Sequence, residues 1–541
     1  MATKRKKAAS RSERVLLAAV AIAALAILLA RLGAAPLIDI DEGAFTESSR
    51  EMLASGNWFA PSLYGAALFD VPAFAHWWQM PSLRFVGLDA LGARLPSAIA
   101  GVGWVVAISA WAWALAGRDL VAAAFGASIA TTAIAVPLTA RLATPDAVAG
   151  VWMALVLLMA WHALFTRQES DARRYARIGA TALALGMMTQ GPVALLVPAI
   201  TVPLATWWAA RGRRLAALLG DPIAWAIAVL FPLPWLLMQW RAQGNAFIDG
   251  FFWRHHLGRF LEPIEGTARG FGFFPIVLLL ALLPWTPLFV RALIGVVREP
   301  GHLLRDRGFG LTWMPLLLVF AFFSFSATKE PQYLLPGIGG LLAMLGAAAT
   351  QASRESLRFG WERGLCAVML LALATLPWWL PTAAAQLAVP YYRQGLRDAL
   401  VVLSGQWIWL VGLGVGGLAV LALAPTREAV LGGATVFALM LHLIAVPAVA
   451  DAFQAPIVAA GERVAAVRGR VITWRFDMPS LSIAARRPVP PGQPALGDTV
   501  VLRIDRRDAL ATALARAMPR GELRMRWRMG GVEVAEVVAA R

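Results

Sequence analysis

Apolar runs long enough to cross a lipid bilayer recur from residue 15 to about residue 448 of this 541-residue chain, and they leave few folds open to it. A spanning helix needs roughly 20 apolar residues to traverse the hydrocarbon. Within lipid every backbone N–H and C=O must be satisfied by the chain itself, so spanning segments are helices or closed barrels. About thirteen segments have a helix-spanning length, at 15–35, 95–116, 119–138, 146–165, 176–190, 191–209, 222–240, 272–290, 310–327, 332–350, 362–382, 403–423 and 429–448. Composition agrees, with 59% hydrophobic and only 15% charged residues. The expected fold is an all-α polytopic membrane protein.

The formal net charge of +17 does not mark a nucleic-acid surface, because the basic residues collect in alternate loops. Cytoplasmic loops of membrane proteins carry such an excess. Lys4, Arg5, Lys6, Lys7, Arg11 and Arg14 precede the first apolar run, which places the N-terminus in the cytoplasm. Counting forward, the basic linkers Arg167 to Arg177, Arg211 to Arg214, Arg291 to Arg307 and Arg354 to Arg363 fall on the same side. The loops 36–94, 241–271 and 328–331 and the C-terminal tail then face outward. The expected location is the cytoplasmic (inner) membrane, multi-pass, with the outward loops and tail extracytoplasmic or periplasmic. The basic start and first run, followed by Gly33-Ala34-Ala35, also fit a cleaved signal peptide, the less favoured reading. The single cysteine, Cys366, lies in an apolar run and has no intrachain partner.

Within this apolar chain the first outward loop concentrates carboxylates: Asp39, Asp41, Glu42, Glu47 and Glu51 all fall between residues 39 and 51. An acid kept at a bilayer surface costs desolvation free energy and has no use to a passive anchor. Residues 41–55 and 72–88 also place Phe45, Met52, Leu53, Phe74, Trp77, Trp78 and Leu83 at helical spacing, predicting two interfacial helices that wall a cavity open to lipid and water. Past residue 450 the chain turns mixed polar. Strands are expected at 470–474, 480–483 and 499–503 and a helix over 508–518, with a proline-marked loop between 488 and 494. The expected organisation is a membrane domain over 1–450 and a small soluble α/β domain over 451–541.

Several segments in series carry a resemblance: Asp41-Glu42; Ser49-Arg50-Glu51-Met52-Leu53-Ala54-Ser55-Gly56-Asn57-Trp58; Phe69-Asp70-Val71-Pro72; Ala93-Arg94-Leu95-Pro96-Ser97; Thr144-Pro145-Asp146-Ala147; Gly186 to Gly191; Phe251 to Phe260; Leu283-Pro284-Trp285; and Ser326 to Pro336. Across roughly residues 10–350 their order resembles the GT-C membrane glycosyltransferases, nearest the lipid A aminoarabinose transferases and more distantly the protein O-mannosyltransferases. The resemblance implies transfer of a sugar, with inversion, from a polyprenyl-phosphate donor to a lipid A, glycan or protein hydroxyl in the cell envelope, outside the cytoplasmic membrane. The implied partners are that donor lipid, the envelope acceptor and membrane lipids, with no nucleic acid. No cofactor is implied.

A hydroxyl acceptor needs a base to take its proton as it attacks, and Asp41 fits that role; a helix N-cap, with Asp39 and Glu42 forming a capping box, is the competing reading. A leaving lipid phosphate needs cations and donors around it. Arg259, Lys329 and Tyr333 supply them, although a lone interfacial arginine often only snorkels. Glu42, Asp146, Arg84, His255 and His256 complete the expected substrate-binding set. Asp146 also reads as an N-cap beside Pro145 or as a partner of Arg141. Adjacent histidines cannot chelate from a helix as an i, i+4 pair does, so metal ligation has little support and a divalent cation stays unassigned.

The chain departs from the aminoarabinose transferases at four polar positions: Val71 stands where they carry a phosphate-contacting lysine, Ala44 replaces an arginine, His255 an acid and Gln190 a lysine. These changes leave phosphate binding to His255, Arg254 or Arg84, and they leave the donor sugar open. A transporter or flippase of lipid-linked sugars is the rival from another class, but no internal repeat is visible. A catalytically inactive scaffold homologue is the third reading, opposed by retained Asp41, Arg259 and Tyr333.

Overall fold

The computed structural model describes residues 10–209, 211–263, 269–298, 309–354 and 359–539. The basic run Lys4 to Lys7, much of the 291–307 linker and part of the 354–363 linker lie outside the described residues.

All thirteen apolar segments fall on helices. The first is α1 (Arg11–Leu29), whose start is fixed by a capping box between Ser10 and Glu13. Next come α2 (Asp41–Ser55), α3 (Ala73–Phe85), α4 (Ala90–Leu115), α5 (Leu120–Thr132), α6 (Ala135–Ala140), α7 (Asp146–Phe165), α8 (Glu169–Gln190) and α9 (Val193–Trp208). Among the described residues, six helices are long and apolar enough to cross a bilayer, or up to eight if each bent pair is one span. The chain is a multi-pass membrane protein. The bent pairs are Gly360–Ala374 with Leu376–Ala385, at 74°, and Pro390–Ser404 with Trp407–Leu423, at 72°.

Small residues set the helix crossings. A Cβ on Gly126 of α5 would lie 2.7 Å from the Ala112 Cβ of α4, and one on Gly346 of the Leu335–Arg354 helix would lie 2.7 Å from the Gly126 backbone. The backbones of α5 and the Leu335–Arg354 helix therefore meet at a distance that only glycine permits, with Ala112 of α4 packed against both, as in lipid, where packing replaces the hydrophobic effect as the source of association. Around this crossing Trp104, Trp111 and Phe125 are fully buried. A second core joins the Gly360–Ala374, Trp407–Leu423 and Thr426–Met440 helices.

The two helices anticipated in the first outward loop form over 41–55 and 73–85, and α2 is buried on most of its surface, including Glu42, Thr46, Glu47, Ser48 and Ser49. Between them stands a short hairpin, β1 (Ser62–Leu63) with β2 (Ala66–Ala67).

Residues 426–465 run as one helical stretch, π-helical over Leu441–Ala445, and carry the chain out of the bundle. Beyond it β3 (Val471–Thr473), β4 (Thr499–Arg503), β5 (Gly521–Met529) and β6 (Val532–Ala539) form a sheet in the order β3-β4-β6-β5, with β3 and β4 parallel and the other pairs antiparallel. The Arg507–Ala517 helix covers one face through Leu510 and Leu514, and the Val446–Ala465 helix lies against the other through Ile457, Ala460 and Val464. One expectation is corrected: residues 480–483 are not a strand but part of the Pro479–Ala485 helix. Pro479 opens its first turn, where a missing N–H costs nothing, and the alternation Ser-Leu-Ser-Ile gave a misleading period of two. The β5–β6 hairpin, absent from the sequence reading, supplies half of the sheet.

Candidate active site

A cavity of about 650 Å³ opens where α2, α7, α8, α9 and the 248–261 and 326–336 segments converge. Its polar end holds Asp41, Asp70, Asp146, His255, His256 and Arg259, and its other walls are apolar, with Val193, Leu196, Phe252, Phe260, Phe322 and Phe323 among them. Such a division suits a ligand with a charged head and a hydrocarbon tail.

Each polar group sits at the end of an element. Asp41 is the first residue of α2, and Ile40, which makes no side-chain capping bond, occupies the cap. The capping-box reading is thereby corrected. Asp39 instead accepts from the Ser480 N–H at 3.0 Å and from its hydroxyl, reaching the C-terminal region. Glu42 accepts from Arg94 Nε at 2.8 Å and Nη2 at 2.7 Å, and from the N–H groups of Ile38 at 2.7 Å and Ala143 at 2.6 Å. With both oxygens engaged and the side chain buried, Glu42 is not on the cavity wall; its expected substrate contact is replaced by a clamp. Arg94 continues the clamp by donating to the carbonyls of Leu32, Ala35 and Pro36. The clamp ties the start of α2 to the segment that precedes Asp146.

Asp146 is the first residue of α7, with Pro145 at the cap. Its carboxylate accepts from Gln190 Nε2 at 2.8 Å and from the Thr144 hydroxyl. Arg141 is turned away from it and donates to the carbonyls of Ile27 and Ala30 at the end of α1, which excludes the Arg141 pairing.

Opposite these acids runs the π-helical segment Ile248–Gly258 followed by Arg259–Leu261. Helical turns one residue wider than the α-turn, as here, shift side chains out of the α-helical register and recur at functional sites. His255 and His256 diverge here. His255 Nδ1 lies 3.1 Å from Asp70 Oδ1, whereas His256 Nδ1 lies 2.6 Å from the Phe251 carbonyl oxygen. His256 packs on Gly191, where φ is +70° and an added Cβ would stand 3.1 Å from Nε2 and 2.8 Å from the Phe251 ring.

Arg259 is held by its backbone: its carbonyl accepts from the Thr328 N–H at 3.1 Å, and the Phe260 carbonyl accepts from the Ala327 N–H at 2.9 Å. This pairing brings Tyr333 to Arg259, whose guanidinium hydrogen-bonds the phenol oxygen. Lys329 and Arg84 are not brought to the cavity. The Lys329 ammonium is buried, donates to the Ser326 carbonyl and faces the Phe271 ring, because the short loop folds it back. Arg84 is exposed in the last turn of α3. Asp41, Asp146, Arg259, His255, His256 and Tyr333 do share the cavity.

Electrostatics separate the acids. Burial raises the Asp41 pKa, the Arg259 charge opposes that rise, and Glu42 and Asp70 add to it. The side chain is open to the cavity yet ringed by protein, so the carboxylate loses hydration without losing access. At Asp70 burial pushes upward, but the His255 hydrogen bond and the charges of His255, Arg259 and His256 outweigh it and hold the pKa down. Burial lowers the His256 pKa. Asp70 and Gln190 line the cavity although neither is an expected site residue: the 69–72 segment departs from the aminoarabinose transferases at Val71, and Gln190 stands where they carry a lysine.

No family model matches the chain. Among curated proteins it is 29% identical over 377 residues to undecaprenyl phosphate-alpha-4-amino-4-deoxy-L-arabinose arabinosyl transferase 2 of Pseudomonas fluorescens (strain Pf0-1), covering 69% of this chain and 66% of that protein. It is 30% identical over 382 residues to the arabinosyl transferase of that name from Pseudomonas aeruginosa PAO1, covering 68% and 65%. A 32% identity over 357 residues relates it to arabinosyl transferase 1 of Sodalis glossinidius, at 62% and 61% coverage. The chain thus spans just under two thirds of the length of the curated relatives it matches. Among solved structures, ArnT from Cupriavidus metallidurans bound to undecaprenyl phosphate superposes with a TM-score of 0.78 at 22% identity, covering 97% of this chain and 98% of that one. The likeness of fold therefore includes the C-terminal sheet region as well as the bundle. Fold and sequence relatives agree: the chain is similar in sequence to undecaprenyl-phosphate arabinosyl transferases and shares the fold of ArnT.

Proposed function

We propose that the chain is an inverting glycosyltransferase that moves a sugar from a polyprenyl-phosphate donor to a hydroxyl of a cell-envelope acceptor, a lipid, glycan or protein. The transfer would take place at the outer face of the cytoplasmic membrane, with the N-terminus cytoplasmic and the C-terminal region outside. The curated relatives are named for transfer of a 4-amino-4-deoxyarabinose from undecaprenyl phosphate, which supports the donor class and leaves the sugar itself open.

The observation that carries the reading is the placement of Asp41 and the Arg259–Tyr333 pair in one cavity with an apolar wall. In the proposed step the acceptor oxygen attacks the anomeric carbon and its proton passes to Asp41. The bond from that carbon to the phosphate oxygen breaks, and its electron pair leaves on the lipid phosphate. A raised carboxyl pKa favours Asp41 as base, because proton transfer is most effective when the base is not far more acidic than the surroundings. Arg259, with its planar fork of donors, and the Tyr333 hydroxyl receive the phosphate. The His255–Asp70 pair lies beside them and supplies a donor whose orientation is fixed. Asp146 with Gln190 presents an acceptor and a donor to sugar hydroxyls. The hydrocarbon tail lies along Leu196, Phe260, Phe322 and Phe323.

The test is replacement of the gene by an Asp41→Asn version in the native host, with mass spectrometry of envelope lipids, glycans and glycoproteins. Loss of one sugar-sized mass increment, restored by the wild-type gene and not by the variant, is the expected result. An unchanged envelope with the wild-type protein being made would overturn the reading.

A further inference from the structure

Apart from the transfer cavity and sharing no lining residue with it, basic side chains gather between the end of α1 and the π-helical Leu441–Ala445 turn. A small cavity of about 30 Å³ is lined by Arg31, Arg94, Arg141 and His442, with apolar residues between them. Arg94 is satisfied by Glu42 and three carbonyls. Arg141 spends one nitrogen, Nη1, on the carbonyls that end α1, and the charges it faces are Arg94 and Arg31, both positive. His442 is 1% exposed and its Nε2 has no hydrogen-bond partner. Arg31 holds a left-handed backbone, φ +56°, and donates Nη1 to the Leu443 carbonyl at 2.9 Å, and it lines both this cavity and its neighbour. Such a backbone is uncommon for a residue with a side chain and here aims a cation at one place.

Arg31 also forms the edge of a second, larger hollow of about 280 Å³, whose other walls are Gln406, Trp409, Leu413, Leu439, Leu443 and Ile444. This groove is apolar except at the Arg31–Gln406 end. Trp409, 67% exposed, lines it, and Trp407 in the same first turn of the Trp407–Leu423 helix is 50% exposed. Exposed tryptophans at a helix start mark the depth of lipid headgroups. The groove therefore has a cation at headgroup level, an apolar channel below it and, in the adjoining small cavity, the unpartnered His442 nitrogen, with no carboxylate among the described residues lining either hollow.

We propose that this groove is a second lipid site, separate from the transfer cavity, in which the phosphate of an anionic phospholipid sits against Arg31 and Gln406 and one acyl chain lies along Trp409, Leu413 and Leu439. The small cavity behind has room for water, which would relay the phosphate charge to Arg141 and to the open His442 nitrogen.

The experiment is native mass spectrometry of the full purified chain in detergent, titrated in parallel with phosphatidylglycerol, phosphatidylcholine and inorganic phosphate. Wild type is expected to retain one phosphatidylglycerol in preference to phosphatidylcholine. Arg31→Gln, which keeps a donor for the Leu443 carbonyl but removes the charge, should weaken that retention roughly fivefold, the worth of one basic side chain at an anionic lipid surface. Leu413→Trp, which fills the groove without changing charge, should weaken it as well, while Arg259→Gln in the transfer cavity should leave this adduct in place. Equal retention of both lipids, retention unaffected by either groove variant, or an adduct lost in Arg259→Gln would overturn the proposal. Retention of inorganic phosphate without phosphatidylglycerol would reduce it to an anion site and overturn the lipid assignment.

Discussion

At the scale of single residues, Asp41, Asp70 and Asp146 share one cavity and are made different by their neighbours. Asp41 faces desolvation and two further acids with one arginine against them; Asp70 has His255 bound to it; Asp146 is tied to Gln190 and Thr144. In the proposed mechanism Asp41 acts unprotonated, so the rate climbs as pH rises through its pKa and levels off above it. Because that pKa is raised, the acid limb of the kcat/KM profile should lie above the ordinary carboxylate range. Asp70→Asn removes a charge that raises it and should move the limb to lower pH, which a pH–rate comparison of the two proteins checks. Arg259→Ala should cut turnover by about 10²-fold or more, the usual loss on removing one donor aimed at developing charge, while Lys329→Ala, whose side chain does not line the cavity, should leave turnover within a few-fold of wild type in the same assay. Asp41 and Asp146 stand out in the sequence because acids are scarce in so apolar a chain, and Arg259 and Tyr333 because of the order of the segments that carry them. Glu42 and Lys329 misled for the same reason: rarity flags a charged group without saying which way it points.

The element on which the site depends is α2, a polar helix buried on most sides. Its position rests on two clamps, Glu42 with Arg94 and Asp39 with Ser480, and on Gly43, where an added Cβ would meet Asp39 Oδ1 at 2.0 Å and the Ser480 nitrogen at 2.8 Å. Arg94→Leu leaves the buried Glu42 carboxylate unpaired, and breaking such a pair costs about 3–5 kcal/mol; thermal denaturation in detergent should show a marked fall in Tm with turnover lost alongside. Asp39 provides a pH signature. Burial raises its pKa to about 7 against opposition from the Ser480 hydrogen bonds, with Asp477 and Glu42 adding to the rise. The folded protein therefore holds this proton more tightly than the unfolded chain, and its stability contribution falls as pH climbs from the usual carboxylate range to about 7 and stays flat above. Asp39→Asn should flatten that slope, visible as a Tm difference between pH 5 and pH 8 smaller than in wild type. These clamps were not readable from the sequence, because Asp39 and Ser480 are brought together only by tertiary folding, whereas the bounds of α2 and α3 were readable from apolar spacing alone. The 480–483 segment was misread because a short buried helix and a strand share an apolar, small-residue pattern.

Over the whole molecule, the apolar segments announced the helical bundle because crossing a bilayer takes a long apolar run, visible in each segment by itself; breaks within those runs were not visible, and among the described residues six to eight helices or bent pairs reach spanning length. The C-terminal sheet is of another kind: its β5 strand is an arginine-rich edge, Arg524, Arg526 and Arg528 among Met525, Trp527 and Met529, and only pairing with β6 makes it a strand. That region touches the site's own support. Ser480 holds Asp39, and Asp477 accepts from the Tyr64 hydroxyl at 2.8 Å beside the β1–β2 hairpin. Deleting residues 466–541 should therefore lower turnover on any acceptor, even one small enough to need no docking surface, and a loss confined to large acceptors would contradict that coupling. In the proposed reaction Asp41 takes the acceptor proton in a transfer from a lipid-linked sugar. This step is tested most directly by reconstituting the purified protein in vesicles with a polyprenyl-phosphate-linked sugar and envelope acceptor lipid, and measuring release of polyprenyl phosphate together with the glycosylated product. Wild type should form the two in equal amounts, and Asp41→Asn, folded by the same thermal criterion, should slow both by between about 10²- and 10⁴-fold; product formation by Asp41→Asn at the wild-type rate would contradict the account.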